Sequence, residues 1–288
     1  MEKIDYKVKC DSFELVDVFD CGQCFRWNIE ENGSYTGVFD KIVLNVDKID
    51  DELVFSGVNY DDTDSVEKIK YYFDLNRDYS ELKSKLENVD DYMKKSVDFG
   101  KGIRILNQDL WETIISFIIS ANNNIPRIKG IIERLSEKYG KELKYNGKVY
   151  YSFPRPFELK DVLVSDYRLL GLGFRDIRLF ETTHKVLNGE FDFKSQYSLN
   201  TDEIYKNLLR LSGVGPKVAD CILLFSDLKR FNVFPIDVWI RRVMNDLYIH
   251  NDDEAKVSKV QIQKLANDKF GELKGLAQQY LFYWRRSL

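Results

Sequence analysis

Two residues in this 288-residue chain are of a type and spacing that could do covalent chemistry together. They are Lys217, directly after the turn Ser212-Gly213-Val214-Gly215-Pro216, and Asp237, twenty residues further on. A lysine amine can attack an electrophilic carbon and hold it as an imine. A carboxylate fixed nearby can stabilise positive charge developing on the group under attack. Singly, each has a plainer meaning: Asp237 is placed to cap the helix that follows it, and a lone lysine at a helix start is a surface residue.

The elements that would position this pair are readable from apolar spacing. Ile204, Leu208 and Leu211 recur with helical period and stop at the glycines. Val218, Ile222 and Phe225 resume the pattern in a new helix, which the spacing starts at Lys217. The result is a helix–hairpin–helix over about residues 204–226. Its glycines let the backbone turn sharply and approach a phosphate with no Cβ in the way. The second helix aims free N–H groups and its positive dipole end at the same place. Proline after the second glycine suits a first helical turn. Pro235-Ile236-Asp237 then leads into a third helix carrying Ile240, Val243, Met244 and Leu247. Upstream, Asp109–Ile119 reads as a helix capped by Asp109, with Leu110, Ile114 and Phe117 on one face. Ile128–Tyr139 follows the break Asn122-Asn123-Asn124, and Asn146–Pro156 reads as a loop. The first hundred residues are mainly β, with strands at Tyr35–Val38, Ile42–Val46 and Leu53–Val58. Acidic helix-like stretches follow at Ser65–Asp74 and Ser80–Asp90. The expected class is α+β: an antiparallel β-sheet domain over residues 1–100, then an all-helical domain over 101–288.

GVGPKVADC followed by FPIDVW resembles the helix–hairpin–helix (HhH-GPD) superfamily of base-excision DNA glycosylases. Four further segments, in the same order, resemble the 8-oxoguanine DNA glycosylase/AP lyases. They are Gly22-Gln23-Cys24-Phe25-Arg26-Trp27, Ser120-Ala121-Asn122-Asn123-Asn124-Ile125, Gly171-Leu172-Gly173-Phe174-Arg175 and Ala277-Gln278 to Phe282. The resemblance spans nearly the whole chain and implies a bifunctional enzyme. Lys217 would be the nucleophile at the sugar C1′, and Asp237 the carboxylate facing the oxocarbenium. Burial and the hairpin dipole are expected to lower the pKa of Lys217 and free its amine. By the same resemblance Gly22 would accept a hydrogen bond from N7–H of 8-oxoguanine, and Gln278 would read the Watson–Crick edge. Phe282 and Cys221 would sandwich the ring, although a core aromatic and a small buried residue would look the same. Asn122, Arg127 and Arg175 would contact the orphaned cytosine while Phe174 wedges into the stack; Asn122–Asn124 also suits a simple helix break. Gly213, Gly215 and Val218 are the implied DNA-backbone contacts of the hairpin. The implied partner is double-stranded DNA containing 8-oxoguanine, bound by a monomer without any membrane. No cofactor is required, and the hairpin carbonyls could hold a structural monovalent cation. Three positions depart from the family pattern: Phe174 stands where tyrosine is common, Trp239 where a phosphate-binding histidine is usual, and Cys24 where serine is.

Composition is consistent with that assignment. The net charge of −4 divides into −11 over residues 1–100 and +7 over 101–288, so the basic half coincides with the hairpin. Hydrophobic residues make up 44% and charged residues 31%, enough for a full core without a staple. No apolar run suffices to cross a membrane, and the charged start is no signal peptide, so a cytoplasmic location is expected. Cys21 and Cys24 form a lone CxxC without a second pair, and His184 and His250 lack ligand spacing, which argues against zinc or a redox site. The cysteine cluster of an iron–sulfur adenine glycosylase is missing. A monofunctional alkylbase glycosylase would not carry Lys217. A simple DNA-binding module explains the hairpin glycines but not Lys217 with Asp237.

Overall fold

The computed structural model describes residues 1–61 and 64–287. An antiparallel sheet comes first, with strands β1 (Glu2–Lys9), β2 (Trp27–Ile29), β3 (Tyr35–Phe39), β4 (Ile42–Ile49) and β5 (Glu52–Asn59) in the order β1-β5-β4-β3-β2. A short helix α1 (Leu15–Phe19) sits within it. Helices follow: α2 (Ser65–Tyr72), α3 (Tyr79–Glu87), α4 (Asp91–Phe99), α5 (Leu110–Ser120) and α6 (Ile125–Tyr139). Beyond them lie α7 (Val164–Leu169), α8 (Asp176–Leu187), α9 (Phe193–Gln196), α10 (Thr201–Leu208) and α11 (Pro216–Phe225). The chain closes with α12 (Val238–Met244), α13 (Lys259–Phe270) and α14 (Lys274–Arg286). The α+β class is the expected one. Among the described residues no helix is long and apolar enough to cross a membrane.

Three local expectations change. The sheet gains β1, whose Ile4, Tyr6 and Val8 alternate with charged residues and pair along β5, and the three-residue β2. The stretch read as a loop, Asn146–Pro156, begins with the turn and second strand of a separate hairpin, β6 (Glu142–Tyr145) with β7 (Lys148–Tyr151). Its turn, Asn146-Gly147, has φ of 46° and 72°, the positive values that a two-residue hairpin turn demands. Helix α11 starts at Pro216, one residue before Lys217.

Apolar side chains form two main cores. One lies over the sheet, around Phe19, Trp27, Phe55 and Phe73. The other fills the helical part and already includes Tyr79, Leu86, Met93 and Val97 from α3 and α4. The CxxC straddles the two, with Cys21 in the helical core and Cys24 in the sheet core. All four cysteines are free and buried. Burial pushes the Cys21 thiol up to about 12 and raises Cys24 as well, so neither is a ready thiolate. Between them Gln23, fully buried, donates to the carbonyls of Val18 and Arg104 at 2.9 and 2.8 Å and accepts from the Leu106 amide. This glutamine is thus a clamp between layers.

An ion cluster ties the same layers together. Lys229, just beyond α11, donates to Asp74 at 3.1 Å and to the Ile105 carbonyl, while Arg77 and Tyr79 also donate to Asp74. Burial opposes the Asp74 carboxylate, yet Lys229 and Arg77 together hold it below the usual range. Burial pushes Lys229 down to about 7 against the pull of Asp74. Asp74 itself has φ of 52°, a conformation asparagine tolerates. Asp74→Asn should therefore cost about 1–2 kcal/mol in urea unfolding at pH 6, where Asp74 still holds Lys229 charged and the variant must either neutralise that ammonium or bury it unpaired. The penalty should shrink at pH 9. Lys229, already depressed in the folded protein, is then neutral there and needs no counter-charge.

Candidate active site

Helix α11 carries Lys217 and Cys221 one turn apart on one face, so their side chains meet. Its N-cap is Gly215, and among the described residues no atom beyond its own chain neighbours lies within 4 Å of where a Cβ on Gly215 would stand. The first turn of α11 therefore opens onto free space, as an anion-binding helix end should. Gly213, at the head of the turn, has φ of +84°, which a larger residue would adopt only with strain. Val218, by contrast, is buried at 7% exposure. Only its backbone is available to the DNA role expected of it.

Asp237 ends the segment Phe234–Asp237 and caps α12, its Oδ1 accepting from the Ile240 amide at 2.7 Å. The cap fixes one oxygen and, through it, the carboxylate plane. Helix α14 supplies Gln278 and Phe282, one turn apart. The glycine turn after α1 supplies Gly22, at φ of +91°.

One pocket brings these residues together. Gly22, Lys217, Cys221, Asp237, Gln278 and Phe282 all line it, joined by Phe117, Phe225, Pro235 and Gln279. The sequence had placed Phe117 and Phe225 only on apolar helix faces. In the folded chain they stack on each other at 5.5 Å, and the Lys217 ammonium lies 5.6 Å above the Phe117 ring. Gln279 donates to the Cys21 carbonyl at 2.8 Å, which holds the Gly22 turn against α14. Gln278 is 5% exposed, and its Oε1 has no hydrogen-bond partner among the described residues. A buried unpaired acceptor costs about 1–3 kcal/mol, a cost removed when a donor enters the pocket.

The expectation of a lowered Lys217 pKa is overturned. The Cys221 sulfur raises it, burial lowers it by less, and the Asp237 carboxylate raises it further. Burial meanwhile pushes the Cys221 thiol up to about 11. At neutral pH the pair therefore rests as ammonium and thiol. The Asp237 carboxylate is the charged neighbour that opposes desolvation at neutral pH, where the Cys221 thiol is uncharged.

Comparison with known proteins decides the family. Residues 5–114 match the 8-oxoguanine DNA glycosylase N-terminal domain, and residues 115–279 match the HhH-GPD superfamily of base excision DNA repair proteins. The 8-oxoguanine glycosylase/lyase of Clostridium acetobutylicum is 45% identical. Its structure without DNA superposes with a TM-score of 0.90 over 98% of both chains. A probable N-glycosylase/DNA lyase of Methanothermobacter thermautotrophicus is 35% identical over 77% of this chain and 75% of its own. The chain belongs to the 8-oxoguanine DNA glycosylases of the HhH-GPD superfamily.

In this glycosylase the residues assigned to the opposite strand lie apart from the pocket lining. Asn122, exposed and at φ of 51°, and Arg127, exposed at the start of α6, flank the loop after α5. Arg127 donates to the Gly171 carbonyl at 3.1 Å. Phe174 is 51% exposed, with Arg175 stacked on its ring. Arg175 itself is 1% exposed. Its guanidinium is spent on the carbonyls of Ala121, Asn122 and Leu172, so here it braces the Asn122 loop. Trp239, on α12 beside Asp237, is 37% exposed and offers a flat apolar face where a histidine was usual.

Proposed function

We propose that this pocket excises 8-oxoguanine from duplex DNA and then nicks the strand, with Lys217 as nucleophile and Asp237 as charge stabiliser. The gathering of Gly22, Lys217, Cys221, Asp237, Gln278 and Phe282 around one pocket carries the proposal. The Clostridium relative, crystallised with double-stranded DNA containing cytosine opposite 8-oxoguanine, supports it.

The target base must leave the stack to reach Lys217. Gly22 would accept from N7–H, a donor that guanine lacks. A donor/acceptor mismatch there separates the two bases by about 1–3 kcal/mol. The unpaired Gln278 Oε1 would accept from the Watson–Crick edge, and Cys221 and Phe282 would flank the ring. As the C1′–N9 bond breaks, its electron pair goes to the base, and Asp237 faces the cationic sugar. The departing base takes a proton from the Lys217 ammonium, and the freed amine bonds to C1′. Opening of the sugar ring gives an imine. Loss of the C2′ proton then drives β-elimination and expels the 3′ phosphate. On the backbone, Gly213, Gly215 and the main chain of Val218 would grip a phosphate. Asn122 and Arg127 would meet the orphaned base on a loop held by Arg175, with Phe174 in the gap. No step uses a cofactor.

A pH series under single turnover tests the resting ammonium. Imine formation at a preformed abasic site needs the neutral amine. Strand cleavage there should therefore rise about tenfold per pH unit between roughly pH 6.5 and 8.5. Release of 8-oxoguanine begins from the ammonium and should stay flat across that range. A pH-independent lyase step would show that the amine is already neutral at rest.

A further inference from the structure

Helix α8 is fastened to the hairpin along one side. Thr182 donates to the Ser212 carbonyl at 2.9 Å, the Ser212 hydroxyl donates to Glu181, and Lys185 donates to the Arg210 carbonyl. Arg178 lies on the same face. Its stem crosses Gly213: Cδ and Cβ stand 3.0 and 3.1 Å from where a Cβ on that glycine would be. Its head reaches the other way, with the guanidinium carbon 4.9 Å from the centre of the Phe174 ring. Arg175 contacts the same ring at 4.2 Å.

Phe174 is thus a half-exposed aromatic ring with two guanidinium groups against it. Left alone, such a ring would settle against apolar surface. Guanidinium stacking offsets that tendency, with Arg175 fixed in place by the backbone carbonyls it donates to. One side chain thereby touches both the turn expected to hold a phosphate and the ring expected to enter the stack.

We infer that Arg178 is a positioning residue that sets the Phe174 wedge relative to the hairpin, so that gripping the backbone and filling the vacated stack occur in one register. The inference rests on the wedge role proposed above for Phe174. Arg178 acts through that ring and contacts neither base nor sugar.

Two substitutions separate this role from a direct phosphate contact. Arg178→Leu keeps a stem over Gly213 but removes plane and charge. Arg178→Lys keeps stem and charge but removes the plane. A duplex with 8-oxoguanine opposite cytosine and 2-aminopurine beside the lesion reports unstacking by fluorescence, alongside single-turnover base release. Both variants should slow the fluorescence rise and base release about three- to tenfold. The salt dependence of duplex binding should be unchanged. Phe174→Ala should slow both signals by itself, and adding Arg178→Leu to it should cost nothing more. Equal losses from Arg178→Leu with and without Phe174 would overturn the inference. So would rescue by lysine with a salt slope that falls by about one in the leucine variant, the mark of a phosphate contact. If Phe174→Ala leaves the fluorescence rise intact, the wedge role fails, and the positioning role falls with it.

Discussion

Asp237→Asn should lower single-turnover release of 8-oxoguanine by about 10²–10³ while leaving the unfolding midpoint almost unchanged. Two functions of one carboxylate separate here. The Oδ1 that accepts from the Ile240 amide at 2.7 Å has an equivalent in asparagine, so the α12 cap survives. The negative charge does not survive, and with it goes the stabilisation of the cationic sugar. Asp237→Ala should show the same kinetic loss and add about 1 kcal/mol of instability from the missing cap. Stopped-flow base release and urea unfolding of both variants measure the two effects independently. An asparagine variant of near-normal rate would reduce Asp237 to a cap.

Lys217→Gln should remove strand cleavage down to the uncatalysed background and slow base release by about 10³ or more. It deletes both the amine that captures C1′ and the proton donated to the departing base. Affinity for a duplex bearing an uncleavable abasic analogue should change only a few-fold. In the proposed mode the open first turn of α11 and the hairpin glycines would hold the backbone without that side chain. Binding and cleavage assays on the same preparation check both halves. Loss of binding together with cleavage would place Lys217 in the DNA grip instead.

Much of this site was legible before folding because it is local. Glycines mark the hairpin, helical period marks α10 and α11, and Pro235-Ile236-Asp237 marks the next cap. The family segments added the distant members Gly22 and Gln278, which no local rule joins to Lys217. Residues outside that reach were those whose roles depend on packing. Phe117 and Phe225 look like core positions at helical spacing, and only the fold turns their stacked faces toward the ammonium. Arg178 carries no sequence signal, since its contacts run to a glycine thirty-five positions away and to an exposed ring. The protonation of Lys217 was misjudged for a related reason. Burial lowers the pKa as expected, but the Asp237 carboxylate opposes it, and that balance depends on distances. In the sheet, β1 hid among its charges, and Asn146-Gly147 hid among tyrosines and the prolines that follow, despite being a strong turn signal.

The most direct test is borohydride reduction of the protein on a duplex containing 8-oxoguanine opposite cytosine, followed by mapping of the modified peptide. A single adduct carried by Lys217, absent from the Lys217→Gln protein, is the expected result. Base release without any trapped adduct, or an adduct mapped to another amine, would contradict Lys217 as the nucleophile.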